Sequence, residues 1–243
     1  MTATPEAGRR RTERRCRTVA LVGVDGAGKT SVAQAILASP PIPLKYLYMG
    51  TSIESSNVAL PTSRMAHWWK VRQHRRELSA QGRPVPDRID LHGLEHRVRR
   101  RGKVGSTLRL LRRVTEESYR QLVSWIHQLR GFVVLYDRHF VFDALKPASE
   151  APPTELSERL HYWFLRYLYP KPDLALFLDA PTNVLLARKQ EIPPDRLEHD
   201  RSRIQQRRAH AHHFVRVDAA LPQDEVIRQV ADLIREHCSG RSA

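Results

Sequence analysis

Residues 21–30 read LVGVDGAGKT, an apolar run that breaks into glycines and closes on Lys-Thr. Gly23, Gly28, Lys29 and Thr30 meet the spacing Gly-x-x-x-x-Gly-Lys-Ser/Thr. The physics is that of a phosphate cradle. Glycines at 23, 26 and 28 let the chain turn back so that backbone N–H groups point at anionic oxygens, and a following helix N-terminus adds positive potential. The candidate residues for holding ATP are therefore Gly23, Asp25, Gly26, Ala27, Gly28, Lys29, Thr30 and Ser31. Lys29 would reach the β- and γ-phosphates and Thr30 would offer its hydroxyl to Mg²⁺. The context agrees: TVALVG (18–23) reads as a buried strand, and 29–38 reads as a helix stopped by SPPIP.

Working outward, apolar runs that read as strands recur at 44–50 (LKYLYMG), 132–137 (FVVLYD), 174–180 (LALFLDA) and 213–219 (HFVRVDA). Helical patterns fall between them, at 65–78, from about 106 to Gly131, and at 155–168, 182–190, 196–209 and 222–237. In the second of these, Leu108, Leu111, Val114, Leu122, Trp125, Ile126 and Leu129 recur at helical spacing. Strands alternating with helices, most strands being continuous apolar runs, predict an α/β fold with a five-stranded parallel sheet covered by helices on both faces. The expected organisation is a basic tail at 1–17 and one domain over 18–238. That domain carries a basic insert at about 51–105, whose polar stretch from Ser79 to Gly105 reads as a mobile excursion.

The net charge of +15 is unevenly placed. Residues 1–17 carry six Arg against two Glu, and residues 64–113 carry fifteen Lys/Arg against four Asp/Glu, leaving the remaining chain with 20 basic and 20 acidic residues. A neutral body with a basic insert is not a chain coated for nucleic acid, although the insert suits a polyanion or nucleic-acid partner. No apolar run approaches the ~18 residues of a membrane span, so no membrane partner is expected. The two cysteines, Cys16 and Cys238, fall in no metal or redox spacing, which fits a reducing cytoplasm. A homodimer is left open.

Two further clusters carry chemistry. GFVVLYDRHF places Asp137 and Arg138 at the carboxyl end of a strand, the edge where open α/β sheets bind ligands. Asp137 suits Mg²⁺, and Arg138 suits a phosphate in bidentate fashion. ARKQEIPPDRLE gathers Arg188, Lys189, Glu191, Asp195, Arg196 and Glu198 around a Pro-Pro break, as a lid over transferring phosphoryl groups would require. A solvated charged helix reads equally well there. Asp179 also ends a strand and serves a structural turn as readily as a site. HAHHF (210–214) lacks convincing ligand spacing for a metal. Trp68 and Trp69, set among basic residues, suit base stacking, an acceptor pocket or core packing.

Taken together, VGVDGAGKT, GFVVLYDRHF, PDLALFLDAPTNVLLARKQE and the late VRVDAALPQDEV resemble the thymidylate kinase family of P-loop nucleotide kinases, over residues 18–50 and about 106–238. The resemblance implies a P-loop nucleotide-kinase fold with five parallel strands. It makes Lys29 and Thr30 the ATP–Mg²⁺ groups and sets Asp25 near the acceptor's sugar hydroxyl. Asp137 and Arg138 would lie between metal and phosphates, and Arg188 with Lys189 would act as lid cations. Catalytic roles thus fall on Lys29, Asp137, Arg138 and Arg188. The departures concern the acceptor. The family's Arg-Glu-Pro stretch is replaced by YMGTSIESS, with no Arg before Arg64, and HFVFDALKPASE stands where thymine-recognising residues are expected. In these respects the chain is closer to the thymidylate-kinase-like proteins of polysaccharide-biosynthesis clusters. Three expectations follow: ATP-dependent phosphoryl transfer to a small acceptor, a nucleoside monophosphate such as dTMP; transfer to a sugar, glycan or polynucleotide end; or an ATP-binding interaction protein without catalysis, docking through its basic segment.

Overall fold

The computed structural model describes residues 15–50, 56–58, 60–81, 103–144, 155–188 and 193–239. Most of the basic tail, the stretch 82–102 of the expected excursion, and the lid residues Lys189 and Glu191 lie outside the described residues. Five strands form: β1 (Thr18–Val22), β2 (Leu44–Tyr48), β3 (Val133–Asp137), β4 (Leu174–Asp179) and β5 (His213–Asp218). They make one sheet in the order β2-β3-β1-β4-β5, and each pairing is parallel. β1, β3 and β4 are buried along their whole length, which is why their sequences do not alternate. The edge strands are less buried: β2 exposes Lys45, and β5 exposes His213, Arg216 and Asp218 and buries only Val217.

The helices are α1 (Lys29–Ala38), α2 (Pro61–Ala80), α3 (Lys103–Leu129), α4 (Phe140–Ala144), α5 (Leu156–Trp163), α6 (Thr182–Arg188), α7 (Pro194–Gln206) and α8 (Gln223–Cys238). α2 begins four residues before the predicted start because Pro61, whose fixed φ and missing N–H suit a first turn, opens it. The pattern over 155–168 is α5 followed by a π-helical turn, Phe164–Leu168, in which the Tyr169 N–H reaches back to the Phe164 carbonyl at 2.9 Å. The short α4 has no signal in the apolar spacing; the chain coils once directly after Asp137-Arg138.

From β1 the chain runs first to β2 and β3 on one side, then crosses to β4 and β5 on the other. That reversal opens a crevice at the carboxyl ends of β1 and β3, where the glycine loop and Asp137 both emerge. The Leu/Trp stripe of α3 forms a helix as its spacing predicts, and the chain leaves it at Gly131. Its burial is another matter. Leu108, Leu111, Leu122, Trp125, Ile126 and Leu129 are exposed, whereas Glu116, Glu117, Arg120, Gln121 and Ser124 are buried. The helix meets the sheet with its polar side.

The two cysteines, in no recognisable spacing along the chain, are joined. Cys16, just before β1, forms a disulfide with Cys238 at the end of α8, their Cα atoms 4.7 Å apart. Cysteine usage therefore does not argue for a reducing compartment. No helix among the described residues is long and apolar enough to cross a membrane.

Candidate active site

The loop between β1 and α1 takes its shape from close packing. A Cβ on Gly23 would lie 2.6 Å from the Leu178 carbonyl oxygen of β4, so a side chain there would push the loop off the sheet. Gly28, with φ of 84°, caps α1 in the left-handed region that a side chain disfavours. The Lys29 ammonium is curled into this loop, donating to the Gly23 and Val24 carbonyls at 2.8 Å each and lying 3.9 Å from Asp25 Oδ1.

At the end of β3, Asp137 is buried and faces the start of α1. Its Oδ2 accepts from the Thr30 hydroxyl at 3.2 Å and from the Tyr46 hydroxyl at 3.0 Å. The Tyr46 phenol is pushed well above its ordinary pKa, by burial first and then by the Asp137 charge, so it stays a donor. Asp137 Oδ1 is buried with no hydrogen-bond partner among the described residues. A hydroxyl and a carboxylate side by side, one carboxylate oxygen still unsatisfied, are the hard oxygen donors that Mg²⁺ prefers. The donor set fits that ion. No group of three or more His, Cys, Asp or Glu suited to a metal occurs among the described residues, the histidines from His210 to His213 included.

Arg138 follows with φ of 69°, the only non-glycine residue with positive φ among the described residues. That conformation costs on the order of 1–3 kcal/mol, and such cost tends to sit at functional positions. Here it accompanies a guanidinium that crosses to the loop after β1 and donates to Asp25 Oδ1 at 2.7 Å. Asp25, Lys29, Thr30 and Arg138 thus share one cleft of about 520 Å³ with Gly26, Ala27, Gly28 and Ser31.

The opposite wall comes from later in the chain. Arg188, at the end of α6, lines the cleft and donates to the Ala219 carbonyl at 2.9 Å. Ala219, Leu221, Gln223 and Val226, which follow β5, complete that wall. These four carry no distinctive chemistry in the sequence; their position after the last strand is the only signal that could have found them. Asp195, Arg196 and Glu198 lie on α7, and all three are exposed. Glu198 accepts from Thr182 at 2.7 Å and Arg201 at 3.0 Å, tying α7 to α6. Asp179 is structural: it is buried and binds Arg201 at 2.7 and 3.2 Å and Arg216 at 2.8 Å. His139, two residues past Asp137, is buried too, and burial pushes its pKa down to about 3, so it is a neutral packing residue at ordinary pH.

A cation does stand at the end of β2, where the sequence shows none. Arg120, from the sheet-facing side of α3, donates to the Gly50 carbonyl at 2.5 Å and the Tyr48 carbonyl at 3.3 Å, and pairs with Glu116 at 3.0 Å. It is fully buried, so it holds the turn after β2 rather than presenting itself to a ligand. Arg120→Met strands the Glu116 carboxylate and two carbonyls, and is expected to cost about 3–5 kcal/mol in urea denaturation. Adding Glu116→Gln should recover a measurable part of that loss; full additivity of the two substitutions would show that the pair does not act together.

No family model matches the chain. Two curated thymidylate kinases, from strains BAV1 and CBDB1 of Dehalococcoides mccartyi, are each 34% identical to it over 68 residues, 24% of this chain and 33% of theirs. The chain thus spans about a third of the length of the curated relatives it matches. Among solved structures, deoxyadenosine kinase from M. mycoides with bound dATP is similar at a TM-score of 0.46 and 13% identity, over 90% of this chain and 99% of that one. The corresponding structure with bound dCTP gives 0.44 and 13%, with the same coverage.

Proposed function

We propose that the chain is an ATP-dependent phosphotransferase of the P-loop nucleotide-kinase kind, and that its acceptor is a nucleoside monophosphate such as dTMP. The observation that carries this reading is the meeting of Thr30 with Asp137, one oxygen of which is buried with no partner among the described residues, beside the Lys29 loop. The similarity to thymidylate kinases over 68 residues supports it. In this reading the amides of residues 25–30 hold the triphosphate, and the Lys29 ammonium exchanges its two carbonyl contacts for β- and γ-phosphate oxygens. Thr30 and Asp137 would hold Mg²⁺, which when bound supplies positive charge against those oxygens. An acceptor phosphate oxygen forms a bond to the γ-phosphorus, the bond to the β–γ bridging oxygen breaks, and its electron pair leaves with ADP. The step needs positioning and charge stabilisation rather than a nucleophilic side chain. Arg138 and Arg188, on two walls of one cleft, supply the charge. Asp25 holds Arg138 in place, and the resemblance implies that it stands near the acceptor's sugar hydroxyl.

One observation favours a larger anionic acceptor as the second reading. At 100° per residue, Arg64, Trp68, Trp69, Arg72, Arg75 and Arg76 fall on one side of α2, and all six are exposed. Arg72 lies over the Trp68 ring at 5.1 Å. Arginines interleaved with exposed indoles, with no carboxylate among them, suit a polynucleotide end or an acidic glycan.

The test is ADP release by the purified chain with ATP, Mg²⁺ and dTMP, with Lys29→Ala as background. Turnover at least ~100-fold above that variant is expected, the scale of losing one well-placed charge-stabilising group. Turnover only with polyanionic acceptors, falling steeply with salt, would move the assignment to the second reading. ATP binding without turnover on any acceptor would make the chain a non-catalytic binder.

A further inference from the structure

The edge strand β2 supplies one of the two donors that meet Asp137. Strand register sets Tyr46 opposite Leu135 and Tyr48 opposite Asp137, so the Tyr46 side chain reaches along the neighbouring strand to the carboxylate. Its ring packs against the core on the way, and its hydroxyl ends 3.0 Å from Asp137 Oδ2. The backbone that carries this ring is also fixed. β2 is the last strand on its side of the sheet, and a side chain closes its open edge. Asn57 Nδ2 donates to the Tyr46 carbonyl, and Asn57 Oδ1 accepts from the Tyr48 N–H, each at 2.9 Å. One amide thus pairs with β2 as a further strand would, satisfying backbone groups that an edge otherwise leaves to water.

On the reading that Thr30 and Asp137 hold Mg²⁺, on which this inference rests, we propose that Tyr46 is a positioning residue: its hydroxyl holds Asp137 so that Oδ1 stays available to the ion. Both donors that reach Asp137, the Thr30 and Tyr46 hydroxyls, meet it at Oδ2. Oδ1 is buried and keeps no partner among the described residues. Of the two donors only Tyr46 is fixed. Thr30 is itself a holder of the ion, so its hydroxyl has to turn when the ion binds. Tyr46 has no second task, and its ring and backbone are both held. A phenol also suits the position by charge. It is a neutral donor, so it sets the carboxylate plane without cancelling the negative charge that attracts the ion. A lysine or arginine there would offset that charge and compete with the ion. The cation next in sequence, Arg138, donates instead to Asp25 at 2.7 Å. Hydrogen bonds that orient a metal's ligands in this way are worth about 10–100-fold in metal affinity.

Binding of Mn²⁺, standing in for Mg²⁺, tests the role without any turnover. The full chain is held in excess over β,γ-imido-ATP, so that little nucleotide is free, and unbound Mn²⁺ is read from its electron paramagnetic resonance signal. Tyr46→Phe keeps the ring and removes only the hydroxyl. It should raise the Mn²⁺ dissociation constant at least ~10-fold, while nucleotide affinity in EDTA stays within about twofold. A hydroxyl kept only to pack β2 predicts a lower urea midpoint with an unchanged Mn²⁺ dissociation constant, and that result overturns the proposal alone. If the unsubstituted chain takes up no Mn²⁺ with the nucleotide bound, the assignment of the ion to Thr30 and Asp137 falls, and the role of Tyr46 with it. Should Tyr46→Phe not fold, Asn57→Ala decides. It alters an exposed position and releases the backbone of Tyr46. The same constant should then rise at least ~3-fold, a fraction of the effect of losing the hydroxyl itself; no change overturns the proposal.

Discussion

Asp137→Asn is expected to lower turnover about a thousandfold while leaving the fold and its urea midpoint close to unchanged. Asparagine keeps the volume of the side chain and an oxygen that can still accept from Thr30 and Tyr46, the two hydroxyls now 3.2 and 3.0 Å from Oδ2. What it loses is the negative charge and the second carboxylate oxygen, the buried Oδ1 without a partner among the described residues. In the proposed reaction that oxygen helps to hold the divalent ion, whose charge stabilisation is worth several kcal/mol, and each ~1.4 kcal/mol is tenfold in rate. A carboxylate kept only for structure predicts a different outcome. The variant would then unfold more easily, because its amide N–H₂ takes the place of an acceptor, and the folded fraction would retain full turnover per molecule. Measuring kcat and the urea midpoint on one preparation separates the two. The dependence of rate on Mg²⁺ concentration should also shift upward in the variant if the residue binds the ion.

The parts of this site legible in the sequence are those whose chemistry is local. The glycine loop announces itself because its spacing, from Gly23 to Thr30, is confined to eight residues, and Asp137-Arg138 because they follow directly on a continuous apolar run. The strands are legible for a related reason. Buried on both faces, β1, β3 and β4 are continuous apolar runs apart from the polar residues at their ends, Thr18, Asp137 and Asp179. What escapes depends on contacts between distant segments. Arg120 looks like one arginine among 34 in the sequence, and only folding brings it 70 residues back against Gly50. Tyr46 reads as a strand tyrosine until its hydroxyl meets Asp137. The stripe of α3 illustrates the opposite hazard. Its helical spacing is plain, but periodicity reports that a face is apolar, not what covers it.

The cysteine pair is the least legible feature, and it carries the largest expected effect on stability. Cys16 and Cys238 are separated by 222 residues, so their disulfide closes nearly the whole chain into one loop. In the chain-entropy account a loop of that length disfavours the unfolded ensemble by about 5 kcal/mol, and a Cα separation of 4.7 Å lies within the range that disulfides span. Against a typical total of about 5–15 kcal/mol for a domain, the bond is a large share. Cys16→Ser with Cys238→Ser is therefore expected to lose about 5 kcal/mol in urea, and the unsubstituted protein under reductant should fall to the same midpoint. If the variant matches the oxidised protein, the bond contributes nothing and the ends of β1 and α8 hold together by packing alone. Alkylation of the folded protein followed by intact-mass measurement gives the complementary readout, with two modified thiols in the reduced form and none in the oxidised. The reduced value has its own meaning. A reducing compartment would keep the pair as thiols, so the stability of the reduced chain is the one it would have to function with there. If that residual stability is only a few kcal/mol, the fold depends on an oxidising setting, and the compartment suggested by the cysteine spacing is the wrong one.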